Sequence, residues 1–163
     1  MLFRSSWHGT PIVNLREART DWRVLARLAN TTLVEIQLHT GRTHQIRVHF
    51  SSLKHPVVGD TLYGAEGQLR VWPTGSAKTS SGNAGGHSRK NGGKTAEKEG
   101  VAMPALGRNF LHAAKLGFAQ PRTGAWIELR ATLPADLHDF LYQLTAAGGE
   151  TPERIDAALE GYL

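Results

Sequence analysis

Between Leu38 and Gly64 the chain gathers the side chains best able to do chemistry. His39, Arg42, His44, Arg47 and His49 put three imidazoles and two guanidiniums within eleven residues. His55-Pro56-Val57-Val58-Gly59-Asp60 and Tyr63-Gly64 follow. The histidines recur every five residues, whereas two metal ligands on one helix face need a spacing of three or four, and no HExxH arrangement accompanies them. No metal site is expected on these grounds. There is no GxSxG elbow for a serine nucleophile and no phosphate-binding P-loop. What remains is a basic strand-to-helix junction, where free backbone N–H groups and a positive dipole end favour an anion. Two readings stay open on spacing alone. Arg42 and Arg47 either hold an anionic partner or pair with structural carboxylates.

The elements that must position these residues can be read from periodicity. Trp22, Val24 and Ala26 alternate with Arg23, Leu25 and Arg27, which predicts a strand. Asn30-Thr31 marks a turn, and Leu33 to His39 forms a second strand with Val34, Ile36 and Leu38 on one face. Two strands so closely linked predict an antiparallel hairpin. Thr43 is the expected N-cap of the next helix. Ile46, Phe50 and Leu53 make its apolar stripe, Pro56 ends it, and Gly59-Asp60 turns the chain. Further on, Phe110 to Phe118 and Trp126 to Thr132 read as strands joined through Gln120-Pro121-Arg122-Thr123-Gly124. On the second of these, Trp126, Glu128 and Arg130 share one face. Pro134-Ala135-Asp136 opens a helix bearing Leu137, Phe140, Leu141 and Leu144, which Gly148-Gly149 stops. Thr151 is the expected N-cap of a last helix, with Pro152 at its first position and Ile155, Ala158, Leu159 and Tyr162 on its apolar face.

The 163 residues carry a formal charge of +5 and a pI near 9.9, a balance that favours an anionic partner, nucleic acid being the commonest. There is no cysteine, so disulfide, thiolate and cysteine–zinc chemistry are excluded; a cytoplasmic home is compatible. No apolar run approaches membrane-spanning length, so no membrane partner is expected. Residues 1–19 show little periodicity and read as a lead-in segment. Residues 68–100 are rich in Gly, Ser, Asn and Lys, and are expected to be a disordered basic insertion. On composition it is a passive insertion before it is an RNA contact.

Thr40-Gly41-Arg42-Thr43-His44-Gln45-Ile46-Arg47-Val48-His49, with the His55–Asp60 string and Tyr63-Gly64, resembles the C-terminal signature of the RluA-type RNA pseudouridine synthases. The likeness continues through Arg108, Leu111-His112-Ala113, Pro121-x-Thr123-Gly124 and Pro134-x-Asp136, and covers roughly Ala18 to Leu144. A string of this length is far more specific than a short glycine pattern. The resemblance implies an α+β fold with a mixed, largely antiparallel sheet and flanking helices, an RNA substrate (rRNA or tRNA) and no cofactor. It divides the chain into 20–145, the C-terminal half of a catalytic domain interrupted by 68–100, and a C-terminal helix at 146–163. The implied reaction isomerises uridine: an aspartate acts on the ribose, the glycosidic bond breaks, the uracil turns and a carbon–carbon bond forms. Arg47 matches the arginine that pairs with that aspartate. Arg42, Thr43, His44 and Gln45 are expected to line the same cleft. Gly41, His55, Pro56, Gly59, Asp60, Tyr63, Gly64 and His112 match structural positions of the motif.

The family's catalytic aspartate lies in a His-Arg-Leu-Asp-x-x-Thr-Ser-Gly stretch, followed by an active-site tyrosine. Neither has a counterpart among these 163 residues, and Asp60 matches the turn aspartate, not the nucleophile. The expectation is therefore an N-terminally truncated synthase: a gene fragment, a mis-called start, or one piece of an enzyme whose N-terminal half is separately encoded. The alternative is a non-catalytic RNA-binding fragment. Either way Arg47 is expected to lack its carboxylate partner, and Arg47→Met to leave the chain as stable or more so.

Overall fold

The computed structural model describes residues 16–73 and 100–162. The expected lead-in lies largely outside them, as do residues 74–99 of the expected insertion. The elements run β1 (Thr20–Leu28), β2 (Thr31–Leu38), α1 (Gln45–Ser52), a single 3-10 turn (Thr61–Tyr63), β3 (Arg70–Val71), β4 (Val101–Ala102), β5 (Lys115–Ala119), β6 (Trp126–Arg130), α2 (Ala135–Gly148) and α3 (Glu153–Ala158). The α+β class holds. The sheet is realised as three separate antiparallel ladders, β1–β2, β3–β4 and β5–β6. No helix among the described residues is long and apolar enough to cross a membrane.

The first hairpin departs from strict alternation. Trp22 faces Ile36 and Val24 faces Val34, but Ala26 then faces Leu33, so Leu25 is an extra residue in a β-bulge. Directly opposed residues share a face, so the bulge sends Ala26 and Leu28 to the side opposite Trp22 and Val24. Burial follows the switch. Ala26 and Leu28 are buried, while Trp22 and Val24 are 53% and 38% exposed. One ribbon thereby serves two layers. Its Trp22 side meets Phe50 of α1, ring centroids 6.1 Å apart, and its Ala26–Leu28 side joins the main core. The turn lies at Ala29-Asn30, one residue earlier than expected, with Ala29 at φ 45°. Asn30 Nδ2 donates to the Arg70 carbonyl at 2.9 Å instead.

The main core unites Ala26, Leu28, Val71, Met103, Phe140, Leu141, Leu144, Ile155 and Leu159. The apolar positions of α2 recur three and four apart, so they form one buried stripe, and Leu137, Phe140, Leu141 and Leu144 are all buried as expected. Gly149 ends that helix in the left-handed conformation, φ 73°. The last helix buries Ile155 and Leu159 against the same core. It begins at Glu153 with Pro152 at the N-cap and no side-chain cap, so Thr151 does not play the expected part.

Two boundaries differ from the sequence reading. The expected insertion of 68–100 is ordered at both ends. Val71 of β3 pairs with Val101 of β4 and is fully buried, and the Met103 amide donates to the Leu69 carbonyl at 2.8 Å. Trp72 lies so close over Gly100 that a Cβ there would stand 2.8 Å from its ring. A polar composition concealed these few apolar anchors. The strand expected from Phe110 begins only at Lys115, because Phe110 packs against the core and its amide donates to the Val58 carbonyl at 2.8 Å. Beyond that point the hairpin is as expected, with Lys115 opposite Arg130 and Ala119 opposite Trp126.

Ile155 is fully buried and ties α3 to this core. Ile155→Ala should lower stability by about 2–5 kcal/mol, read from the urea midpoint at constant m-value.

Candidate active site

The loop that enters α1 is organised by Gln45, the one buried residue of the helix. Its Oε1 accepts from the Arg42 amide at 3.0 Å and from Thr40 Oγ1 at 2.8 Å. Its Nε2 donates to the Arg19 carbonyl at 3.0 Å and to Thr20 Oγ1 at 2.9 Å. The Arg19 amide closes the network on Thr40 Oγ1 at 2.9 Å. Gln45, expected above to line the cleft, is buried and spends its side-chain bonds within the chain. Its amide points inward and is saturated, holding the 40–44 loop to the start of β1. The helix N-cap is not Thr43 but His44, in the left-handed conformation at φ 53° with no side-chain cap bond. Gln45 instead ties down the loop ahead of the helix from inside, and Thr43 is exposed. The apolar stripe is also shorter than expected. Leu53 is 41% exposed, and the helix ends at Ser52, ahead of Pro56.

One turn into α1, Arg47 meets Asp60. Arg47 Nε donates to Asp60 Oδ2 and Nη2 to Oδ1, both at 2.7 Å, in a bidentate pair. The Asp60 side chain is 1% exposed and that of Arg47 17%. The expectation of an unpartnered Arg47 is thus wrong. Its partner comes from the turn 13 residues on, and the structural-carboxylate reading that spacing left open is the one realised. Asp60 is held below its usual range, first by the bond from Arg47, against the opposing effect of burial. Arg47 is raised in turn by the same bond. Nη1 of Arg47 makes no hydrogen bond to the described residues, so part of the guanidinium is left unused.

Tyr63 completes the cluster. It lies three residues past Asp60 in the 3-10 turn that Asp60 caps, its amide 3.3 Å from Asp60 Oδ1. Its ring sits under the Arg47 guanidinium, 4.7 Å from centroid to Cζ, a cation–π contact. Its hydroxyl is 3.0 Å from His44 Nδ1, and the two rings meet edge to face. Ser51 Oγ donates to the Tyr63 carbonyl at 2.7 Å. The fold therefore brings His44, Arg47, Asp60 and Tyr63 into one chain of contacts. Two members of its support, Ser51 and Asn109, escaped the sequence reading, and no periodicity marked them. Turned so that its nitrogen faces the Gly59 carbonyl at 3.1 Å, the Asn109 amide also accepts from Arg47 Nε at 3.3 Å.

The remaining motif residues have different duties. Gly59 adopts φ 81°, and a Cβ there would stand 2.4 Å from the Arg108 carbonyl, so only glycine lets the 108–110 segment lie against the Asp60 turn. Arg108 reaches the Leu111 carbonyl at 3.1 Å and stands 3.7 Å from Asp136. His112 has its Nε2 3.0 Å from the Ala131 carbonyl beside β6. Gly64 closes the 3-10 turn at φ 95°. Pro56 is half-buried and His55 exposed, with the His55 amide on the Phe50 carbonyl at 2.9 Å. Gly41 has open space around it, and nothing in the chain explains its lack of a side chain. Arg42 and His44 are exposed, with Arg42 Nε 3.3 Å from the Glu17 carbonyl. Near them, Arg19, with help from His39, draws the exposed Asp21 down to about 2.

Removing one partner of a buried ion pair leaves the other charge stranded. Arg47→Met should therefore cost about 3–5 kcal/mol by urea denaturation, the reverse of the expectation from sequence. Because the folded-state value of Asp60 is depressed, its contribution is full above the unfolded carboxylate value of about 4 and is lost as pH falls through the lower folded value. The wild-type stability should decline on acidification below pH ~4, and Asp60→Asn should flatten that part of the profile. Gly59→Ala should destabilise by more than about 1 kcal/mol and raise amide exchange at Phe110.

Residues 4–52 match the sequence model of the RNA pseudouridylate synthase family. An uncharacterised RNA pseudouridine synthase of Synechocystis sp. is 53% identical over 129 residues, which are 79% of this chain and 29% of the relative. An uncharacterised RNA pseudouridine synthase of Chloroflexus aurantiacus is 41% identical over 129 residues, 79% and 30% of the two chains. Ribosomal large subunit pseudouridine synthase D of Haemophilus ducreyi is 36% identical over 129 residues, 79% and 33% of the two chains. The chain thus spans about a third of the length of the curated relatives it matches. With the Arg47–Asp60–Tyr63 cluster built from the motif that first suggested it, the chain belongs to the RluA-type RNA pseudouridine synthase family.

Proposed function

We propose that the chain is the arginine-bearing portion of a cytoplasmic RNA pseudouridine synthase acting on ribosomal or transfer RNA. It would turn over only with an aspartate-bearing segment that its own residues do not include. The observation that carries the proposal is Arg47. Asp60, Tyr63 and Asn109 fix its guanidinium, while Nη1 makes no hydrogen bond among the described residues. A rigid, permanently protonated arginine is what a reacting carboxylate needs to stay ionised in a low-dielectric site. The exposed apolar residues agree with a need for more protein. Leu116 (56% exposed) and Leu129 (53%) face each other on one side of the second long hairpin, an apolar pair that a further segment would cover.

In the reaction, the uridine leaves its stack, which costs a few kcal/mol offset by pocket contacts. The bond from C1′ of the ribose to N1 breaks and one from C1′ to C5 forms; the C5 hydrogen leaves as a proton to solvent and N1 takes up a proton in its place. Arg42, Thr43 and His44, exposed in the loop that enters the helix of Arg47, would meet phosphate and sugar. The same exposed basic loop supports a second reading, a non-catalytic RNA-binding fragment.

The test is tritium release from RNA labelled at uridine C5. The chain alone should release none. Adding the separately expressed remainder of the Synechocystis relative should restore release, and Arg47→Lys in the present chain should abolish it, since lysine cannot reproduce the bidentate pair. Release by the chain alone would refute the proposal. No release from the mixture, with RNA still bound, would favour the binding fragment.

A further inference from the structure

Trp126 takes no part in the Arg47–Asp60–Tyr63 contacts. It starts β6, on the face it shares with Lys115, Gly117, Glu128 and Arg130. Its indole crosses to the neighbouring strand and lies over Gly117, where a Cβ would stand 2.6 Å from Cζ2. Glycine clears the space that holds the ring. The side chain nevertheless stays 70% exposed. Aromatic cover of a strand glycine explains the contact with Gly117. It does not explain why so large an apolar ring is left mostly in water.

The hairpin as a whole carries more cations than acids. Lys115 and Arg130 each stand 2.8 Å from Glu128, and both remain more than half exposed, so the face is net positive. The hairpin tip adds Arg122, whose side chain has no partner among the described residues. The tip is stiffened from within. Gln120 Oε1 accepts from the Arg122 amide at 2.8 Å, the Thr123 amide at 2.5 Å and Thr123 Oγ1 at 2.9 Å, and Gly124 adopts φ 70°. An open aromatic ring fixed by its backing, on a stiffened hairpin that carries three cations and one acid along its length, is an arrangement that can stack a nucleobase while meeting the phosphates nearby.

We infer that Trp126 is a stacking platform for an unpaired base of the RNA, outside the site that isomerises uridine, with Arg122 meeting the adjacent backbone. The inference rests on the family reading for its choice of RNA. It adds a contact that favours single-stranded or looped RNA over duplex, because a duplex keeps its bases stacked on each other.

The test uses the whole chain, a cytidine dodecamer, which offers no uridine to the isomerising site, and a duplex of matched charge. Trp126→Ala should weaken dodecamer binding roughly 5- to 150-fold at unchanged salt dependence, the range expected for loss of one stacked base. Trp126→Phe should keep most of the affinity, and duplex binding should not change. Arg122→Ala should instead weaken both RNAs and lower the salt slope by about one. Dodecamer binding unaltered by Trp126→Ala overturns the inference and leaves the family reading standing. So does an equal loss on duplex, or a wild-type dimer that Trp126→Ala dissolves, since a second copy would then be the cover. A wild type that binds neither RNA overturns the family reading and this inference together.

Discussion

A carboxylate withdrawn from water must keep its counter-charge, and the Arg47–Asp60 pair turns that requirement into architecture. Asp60 is almost wholly buried, yet it sits in a turn, a place where the chain usually meets solvent. Holding it inside fixes α1 against the 3-10 turn, because the cation comes from the helix and the anion from the turn's cap. Tyr63 then has one place to lie, under the guanidinium, and His44 follows it. The same turn needs Gly59, and Gly59 admits the Arg108–Phe110 segment. Phe110 carries the constraint onward into the main core. The motif residues are thus spread along the chain but are links of one mechanical assembly.

Gln45 plays the complementary part at the other end of the junction. Its four hydrogen bonds satisfy the loop from inside, which frees Arg42, Thr43 and His44 to face outward. An exposed, basic, well-fixed loop is a better surface for a polyanion than a mobile one, since less ordering entropy is lost on binding.

Much of this was legible in the residue pattern. Alternation around Trp22 to Leu38 and again around Trp126 announced both long hairpins, and the three-and-four spacing of Leu137, Phe140, Leu141 and Leu144 announced α2. What escaped was set by tertiary demand. The bulge at Leu25 has no local signature, because either phase of Leu-Ala-Arg-Leu supplies an apolar face. Thr43 is the better cap by propensity, but the N-cap falls on His44, in a loop that Gln45 ties to Arg19 and Thr20 over twenty residues away. The pairing of Arg47 with Asp60 follows no helical or strand period. Only the general choice between anion and structural carboxylate was visible beforehand. Val71 and Val101 were lost within a polar stretch whose average composition hid them.

That last pair has a wider meaning for how such a chain can change over time. The Val71–Val101 pairing and the Trp72–Gly100 packing hold the described residues on either side of 74–99 next to each other. Closing a loop on a preformed base costs only about 0.6 kcal/mol more for each doubling of its length. The clasp therefore separates the fate of the intervening residues from that of the fold. Their number and composition can drift while the core on either side keeps its geometry, which makes this junction a natural port for insertion in the architecture.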